Sequence, residues 1–247
     1  MSYILEVCAD SVQSAVAAQE GGAGRVELCS ALVIGGLSPS AAMFRQVKEN
    51  TDLKIRVLLR PRFGDFCYDE YEFQTLAEEV QQFRELGADG VVIGILKPDG
   101  TINMEQMAEL VNAAKGIGIT MHRAFDVCSN PYEALEQCVS LGIDTILTSG
   151  QRSCAWEGRE LLSELVRRAD GRIDILAGAG IGPEVIGELA DYTGVRSFHM
   201  SGKKVLDSRM EFRRSGVPMG IPGFSEFEIW QTDADQVRRT AEILKER

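Results

Sequence analysis

The chain has 247 residues, 45% apolar and 26% charged, with 26 Lys and Arg against 37 Asp and Glu for a net charge of −11. That is the composition of a globular protein long enough to bury a sizeable core, and its acidic balance disfavours nucleic acid or an anionic membrane as the main partner. No apolar run reaches the roughly 18 residues of a membrane span, and no basic-then-apolar export signal opens the sequence. The six cysteines, at 8, 29, 67, 128, 138 and 154, form no compact disulfide framework, so reduced thiols and a cytoplasmic location are expected.

Residues 4–10 read as a strand in which Glu6, Cys8 and Asp10 share one face and Leu5, Val7 and Ala9 the other. A helical segment over 11–24 leads to a second strand at 26–29, where Glu27 and Cys29 oppose Val26 and Leu28. Strand, helix, strand predicts a parallel pair, which would set two Glu-x-Cys triplets side by side. Ser38 is the expected cap of a helix opening at Pro39 with its body over 41–48. A strand over 55–60 follows, then a helix over 69–86 stopped by Gly87.

The alternation goes on: a strand at 90–96, a helix at 104–115, a strand at 118–122, and a helix from Asn130-Pro131 to Gly142. Strands at 145–148, 173–177 and 197–201 are separated by helices over 156–168 and from Pro183. Residues 203–230 break the pattern as a long Gly-, Pro- and charge-bearing connection, and 233–245 is a final amphipathic helix. Eight strand–helix cycles without a change in composition predict one (β/α)8 barrel spanning 1–247. An open doubly wound sheet is the rival.

In such barrels the active site lies at the C-terminal ends of the strands. That rule gathers Cys8 and Cys29, with Glu6 and Glu27 a layer deeper, then Arg60, Arg62 and Asp65, then His122, Arg123 and Asp126, and finally Ser149, Gly178 and His199. Both histidines of the chain fall at this end. The glutamates can be acid–base groups, or structural partners of Arg60 and Arg62. The cysteines can be small core residues, or a soft-metal pair suited to Cu(I). His122, four residues before Asp126, can be a general acid/base or a hydrogen-bonded structural histidine. The 178–183 glycine run can hold phosphate at a helix N-terminus or simply turn the chain.

Several blocks together resemble the copper homeostasis protein CutC family. They are Glu6-Val7-Cys8, Arg25-Val26-Glu27-Leu28-Cys29, Gly35-Gly36-Leu37-Ser38-Pro39-Ser40, Arg60-Pro61-Arg62-x-Gly64-Asp65-Phe66, His122-Arg123-Ala124-Phe125-Asp126, Leu147-Thr148-Ser149-Gly150, Ala177-Gly178-Ala179-Gly180 and Phe198-His199. Phe63 stands where the pattern commonly has glycine. The resemblance implies a cytoplasmic, commonly dimeric barrel that handles copper, with Cys8 and Cys29 as the proposed Cu(I) ligands. Two thiols leave the arginines, histidines and carboxylates of the same mouth unexplained. The alternative is therefore a barrel enzyme acting on a small anionic or sugar-like metabolite. In it His122 is the acid/base, Glu6, Glu27 or Asp126 its partner carboxylate, and Arg60, Arg62 and Arg123 grip the anion beside Asp65, Ser149, Gly178 and His199.

Overall fold

The computed structural model describes residues 3–217 and 219–247. Eight parallel strands, β1 (Ile4–Ala9), β2 (Arg25–Leu28), β3 (Lys54–Leu58), β4 (Gly90–Ile93), β5 (Gly118–Met121), β6 (Thr145–Thr148), β7 (Asp174–Ala177) and β8 (Ser197–Met200), close in sequence order into a barrel. The helices between and after them are α1 (Val12–Glu20), α2 (Ala41–Asn50), α3 (Glu70–Glu85), α4 (Met104–Ala113), α5 (Pro131–Leu141), α6 (Arg159–Ala169), α7 (Ile186–Thr193) and α8 (Ala234–Lys245). This is the expected (β/α)8 barrel.

Strand alternation divides the molecule in two. Leu5, Val7, Ala9, Val26, Leu28, Ile55, Val57, Val91 and Ile93 join one large apolar core with side chains of the helices, such as Phe44, Leu76 and Phe83. Burying that layer is the main favourable term of folding. The opposite faces of the same strands turn into the barrel and carry polar groups. The Arg56 guanidinium, for example, reaches from β3 to the hydroxyls of Thr120 on β5 and Thr145 on β6. A small separate cluster of Cys29, Leu58 and Val92 is apolar.

Three local expectations change. The cap of α2 is Ser40, which accepts from the Met43 N–H at 3.1 Å. Ser38 is engaged elsewhere, accepting from the Arg60 N–H at 2.9 Å and donating to the Glu79 carboxylate at 2.7 Å. The two Glu-x-Cys triplets are neighbours but staggered: Glu6 sits beside Arg25 and Cys8 beside Glu27, which leaves Cys29 one residue beyond the end of β2. Finally, the connection after β8 is no irregular loop. It forms an antiparallel pair, β9 (Lys203–Asp207) with β10 (Glu228–Thr232), and Val205 opposite Trp230.

This arm keeps Val205, Met210, Phe212, Val217, Ile221, Phe224 and Ile229 exposed. Only its base is tied in, through Thr232, whose N–H donates to the Ser14 hydroxyl at 3.1 Å. An isolated two-stranded ribbon contributes little stability. Joining Val205 to Trp230 through an Asn-Gly turn is therefore expected to leave the thermal midpoint of the barrel within about 2 °C. A fall several times larger in a thermal melt would show that the arm supports the barrel.

Candidate functional site

The site begins at the middle of β1. The Glu6 carboxylate is ion-paired to Arg25 on β2 and hydrogen-bonded at 2.8 Å to His199 Nδ1 on β8. All three side chains are buried or nearly so. Burial alone would favour protonated Glu6, but the His199 hydrogen bond and the Arg25 charge hold its pKa near about 2. Arg25 is the residue that sequence reasoning missed. Its signal was available, since Arg25, Glu27 and Cys29 alternate onto one face.

Above this layer a cavity of about 270 Å³ opens at the C-terminal ends of the strands. One wall holds Cys8, Glu27 and His199. His199 Nε2 lies 3.8 Å from Glu27 Oε2, and no described group hydrogen-bonds to the Glu27 carboxylate. Burial, aided by the Glu6 charge, pushes the Glu27 carboxyl up to about 7 against the pull of His199. Burial opposes the His199 cation, yet Cys8, Glu27 and Glu6 together hold its titration well above the usual histidine range. Together Glu27 and His199 retain a proton near neutral pH.

The facing wall holds Arg60, Phe66 and His122. The Arg60 guanidinium, 4.9 Å from the centre of the Phe66 ring, is bonded only to the carbonyls of Gly35, Gly36 and Gly64, and its Nε has no partner. No described carboxylate pairs with it. The His122 ring packs at a 45° tilt against Phe66, with the ring centres 4.7 Å apart. Gly94, just past the end of β4, makes room for it: a Cβ there would come within 2.6 Å of the imidazole.

His122 Nδ1 accepts the Ala124 N–H at 3.1 Å, which places the ring proton on Nε2, and that buried atom has no partner. Burial, reinforced by the Arg60 charge, depresses its pKa to about 3. With its proton on Nε2, the ring offers an N–H donor there. Asp126 is no partner to His122. It accepts from the Thr148 hydroxyl at 2.5 Å, the Ser149 N–H at 3.0 Å and the Gln151 N–H at 3.2 Å, and pairs with Arg123 at 2.6 Å. Asp126 and Ser149 are thus a hub that fixes the loops after β5 and β6.

Other expected residues fall outside the working cavity. Arg62 is spent on Glu72 at 2.5 Å and on the exposed Asp65 at 2.9 Å, so neither Arg62 nor Asp65 faces the ligand space. Arg123 lines it but is already paired. Gly178 is a close-approach position, where a Cβ would meet Leu147 Cδ1 at 2.6 Å; the cavity itself is lined by Ala179, Gly180 and Ile181. Cys29 is packed with Leu58 and Val92, and its thiol donates to the Ala9 carbonyl at 3.6 Å. Burial raises its pKa well above the usual thiol value. Cys8 donates instead to the Met200 carbonyl at 3.6 Å. A larger cleft of about 530 Å³ at the opposite end of the strands is lined by Tyr3, Lys54 and Lys245 among others, with no described thiol, histidine or carboxylate.

The CutC family model matches residues 3–204. The chain belongs to the CutC family. It is 47% identical over 240 residues to a family protein CutC of Parabacteroides distasonis, covering 96% of this chain and 99% of that one. It is 40% identical over 245 residues to the copper homeostasis protein cutC homolog of Mus musculus, covering 99% and 90%. The crystal structure of CutC from Streptococcus agalactiae superposes with a TM-score of 0.76 at 30% identity, over 81% of this chain and 98% of that one. The stretch matched by the CutC model holds every cavity-lining residue and ends as β9 begins.

The depressed pKa of His122 has a measurable consequence. A group that binds protons more weakly when folded contributes stability fully above its unfolded pKa, about 6.5, and loses it as pH falls toward the folded value of about 3. Between pH 6 and 4 the stability of the native chain should fall more steeply than that of His122→Gln, by about 1.4 kcal/mol per pH unit. Urea unfolding at a series of pH values measures this. Parallel slopes would mean that His122 is charged in the folded state.

Proposed function

We propose that the mouth of this CutC-family barrel binds a small anionic metabolite and carries out acid–base chemistry on it. The observation that carries this reading is Arg60: a buried guanidinium at the cavity wall, stacked on Phe66 and neutralised by no carboxylate. A buried cation left this way is costly unless an anion completes it. The partnerless His122 Nε2–H beside it is a second donor waiting for the same acceptor. A carboxylate or phosphate oxygen satisfies both, with the bidentate geometry that guanidinium favours. Across the cavity, Glu27 and His199 are the groups able to exchange a proton with the bound molecule. Six unpaired thiols fit action in a reducing, cytosolic compartment.

The test is a thermal-shift screen of phosphorylated and carboxylated metabolites. A true ligand at about 100 times its Kd stabilises a one-site protein by about 2.7 kcal/mol. The shift should vanish in Arg60→Ala and return only in part in Arg60→Lys, which keeps the charge without the planar fork. A screen without any stabilising anion, or an undiminished shift in Arg60→Ala, would overturn the reading.

A second reading is capture of Cu(I) by Cys8 and Cys29, favoured by membership in a family whose mouse relative is named for copper homeostasis. Both sulfurs are of the soft donor type that Cu(I) prefers. Loading would have to strip the proton from the high-pKa Cys29 thiol and break its contact with the Ala9 carbonyl, so uptake should strengthen as pH rises. Anaerobic Cu(I) titration against a competing chelator is expected to show weakened binding in Cys8→Ser and in Cys29→Ser. Variants that hold copper as tightly as the native chain would refute the thiol pair.

A further inference from the structure

We propose that Ser38, itself held by Glu79, is the positioning residue of the Arg60 anion grip: it fixes the main chain at residue 60 while its own loop clasps the guanidinium. This deepens the anion-binding reading and rests on it.

The loop between β2 and α2 touches Arg60 at both ends. Its neck is closed by Ser30 and Leu37, whose N–H groups each donate to the other's carbonyl at 2.8 Å. The Ser30 hydroxyl adds a bond to the Ser38 carbonyl at 2.9 Å. At the main chain of Arg60, the Ser38 hydroxyl accepts the Arg60 N–H at 2.9 Å, and the Ser38 N–H donates to the Arg60 carbonyl at 3.1 Å. At the guanidinium, the carbonyls of Gly36 and Gly35 accept from Nη1 at 3.3 and 3.5 Å. Gly36 comes this close because it has no side chain: its φ is +85°, and a Cβ would lie 2.7 Å from Leu58 Cδ2. The block Gly35-Gly36-Leu37-Ser38 is thus the mount of one arginine.

Glu79 makes this more than loop closure. Its carboxylate reaches from α3 to take the Ser38 hydroxyl proton at 2.7 Å. A serine hydroxyl has one proton to give and two lone pairs to offer. The Ser38 proton has a rival acceptor in the Arg60 carbonyl, 3.4 Å away. By taking that proton, Glu79 keeps a lone pair turned toward the Arg60 N–H. The carboxylate is held there against desolvation, since burial raises the Glu79 pKa and the Ser38 hydrogen bond opposes it. Glu79 bonds the serine and leaves the guanidinium to its carbonyl partners, the third being Gly64 at 2.7 Å. The arrangement therefore steadies the arginine without neutralising it. A guanidinium already held loses less rotamer freedom when it engages an anion, and its planar fork arrives in a fixed orientation.

The experiment titrates inorganic phosphate into the full-length chain by calorimetry and records NMR spectra of the arginine Nε–H groups on the unliganded protein. Arg60→Ala identifies the Arg60 signal and is expected to abolish phosphate binding. Ser38→Ala and Glu79→Ala should each weaken binding about fivefold and shift or broaden the Arg60 signal. Glu79→Gln, whose amide oxygen still accepts the serine proton, should bind at least as well as the native chain. The sign is diagnostic, because removing a negative charge near an anion site would by itself tighten binding. If Ser38→Ala does not fold, the two Glu79 variants decide alone. Phosphate binding that needs Arg60 yet is undiminished in Ser38→Ala and Glu79→Ala overturns the positioning role and leaves the anion reading standing. Equal losses in Glu79→Gln and Glu79→Ala overturn it as well. A native chain that takes up no phosphate removes the anion reading, and this inference with it.

Discussion

The ion pair between Glu6 and Arg25, extended to His199, is the constraint on which the rest of the barrel interior depends. Three charged or chargeable groups are placed largely out of water, and removing one partner of such a buried pair costs about 3–5 kcal/mol. Together they satisfy the Glu6 carboxylate, while Arg25 Nη2 stays without a partner. Arg25 keeps Glu6 ionised, Glu6 orients His199, and His199 presents its remaining nitrogen to Glu27. The layer above inherits its geometry from this one.

The barrel separates stability from chemistry by the simplest device a strand has, its alternation. Outward residues of β1 to β8 weld the strands to the helices in one continuous apolar core. Inward residues meet few apolar neighbours and can therefore be polar, provided they satisfy one another, as Arg56 does with Thr120 and Thr145. Loop order at the mouth comes from a second polar hub. Asp126 binds Thr148, Ser149, Gln151 and Arg123 at once, so residues expected to react are occupied in holding the rim. Among the described residues four buried polar atoms have no hydrogen-bond partner: Arg60 Nε and His122 Nε2 belong to residues lining the cavity, whereas Arg25 Nη2 and Tyr68 Oη belong to residues outside its lining.

That distinction is one the sequence does not carry. Arg60 and Arg62 are two residues apart on the chain and looked alike. Yet Arg60 is hydrogen-bonded only to carbonyls and keeps its charge unpaired, whereas Arg62 is paired with Glu72, which arrives from the first turn of α3. His122 was read as an acid/base from its place at a strand end. Its lowered pKa comes from its depth in the barrel and from the charge of Arg60. The exposed β9–β10 arm was read as irregular because its Gly, Pro and charged residues mask two short strands of low burial.

The sequence by itself determined the fold class, the order of the eight strands, the face on which Glu6, Cys8, Glu27 and Cys29 lie, and the family. All of these are written in local periodicity and in blocks of adjacent residues. What only the tertiary structure decided is register and pairing. A parallel crossover through α1 leaves open how far β2 slides along β1, and that slide set Cys8 beside Glu27 and Glu6 beside Arg25. Which charge meets which, and which meets none, depends on distances between strands far apart in the chain, and no local pattern carries that information.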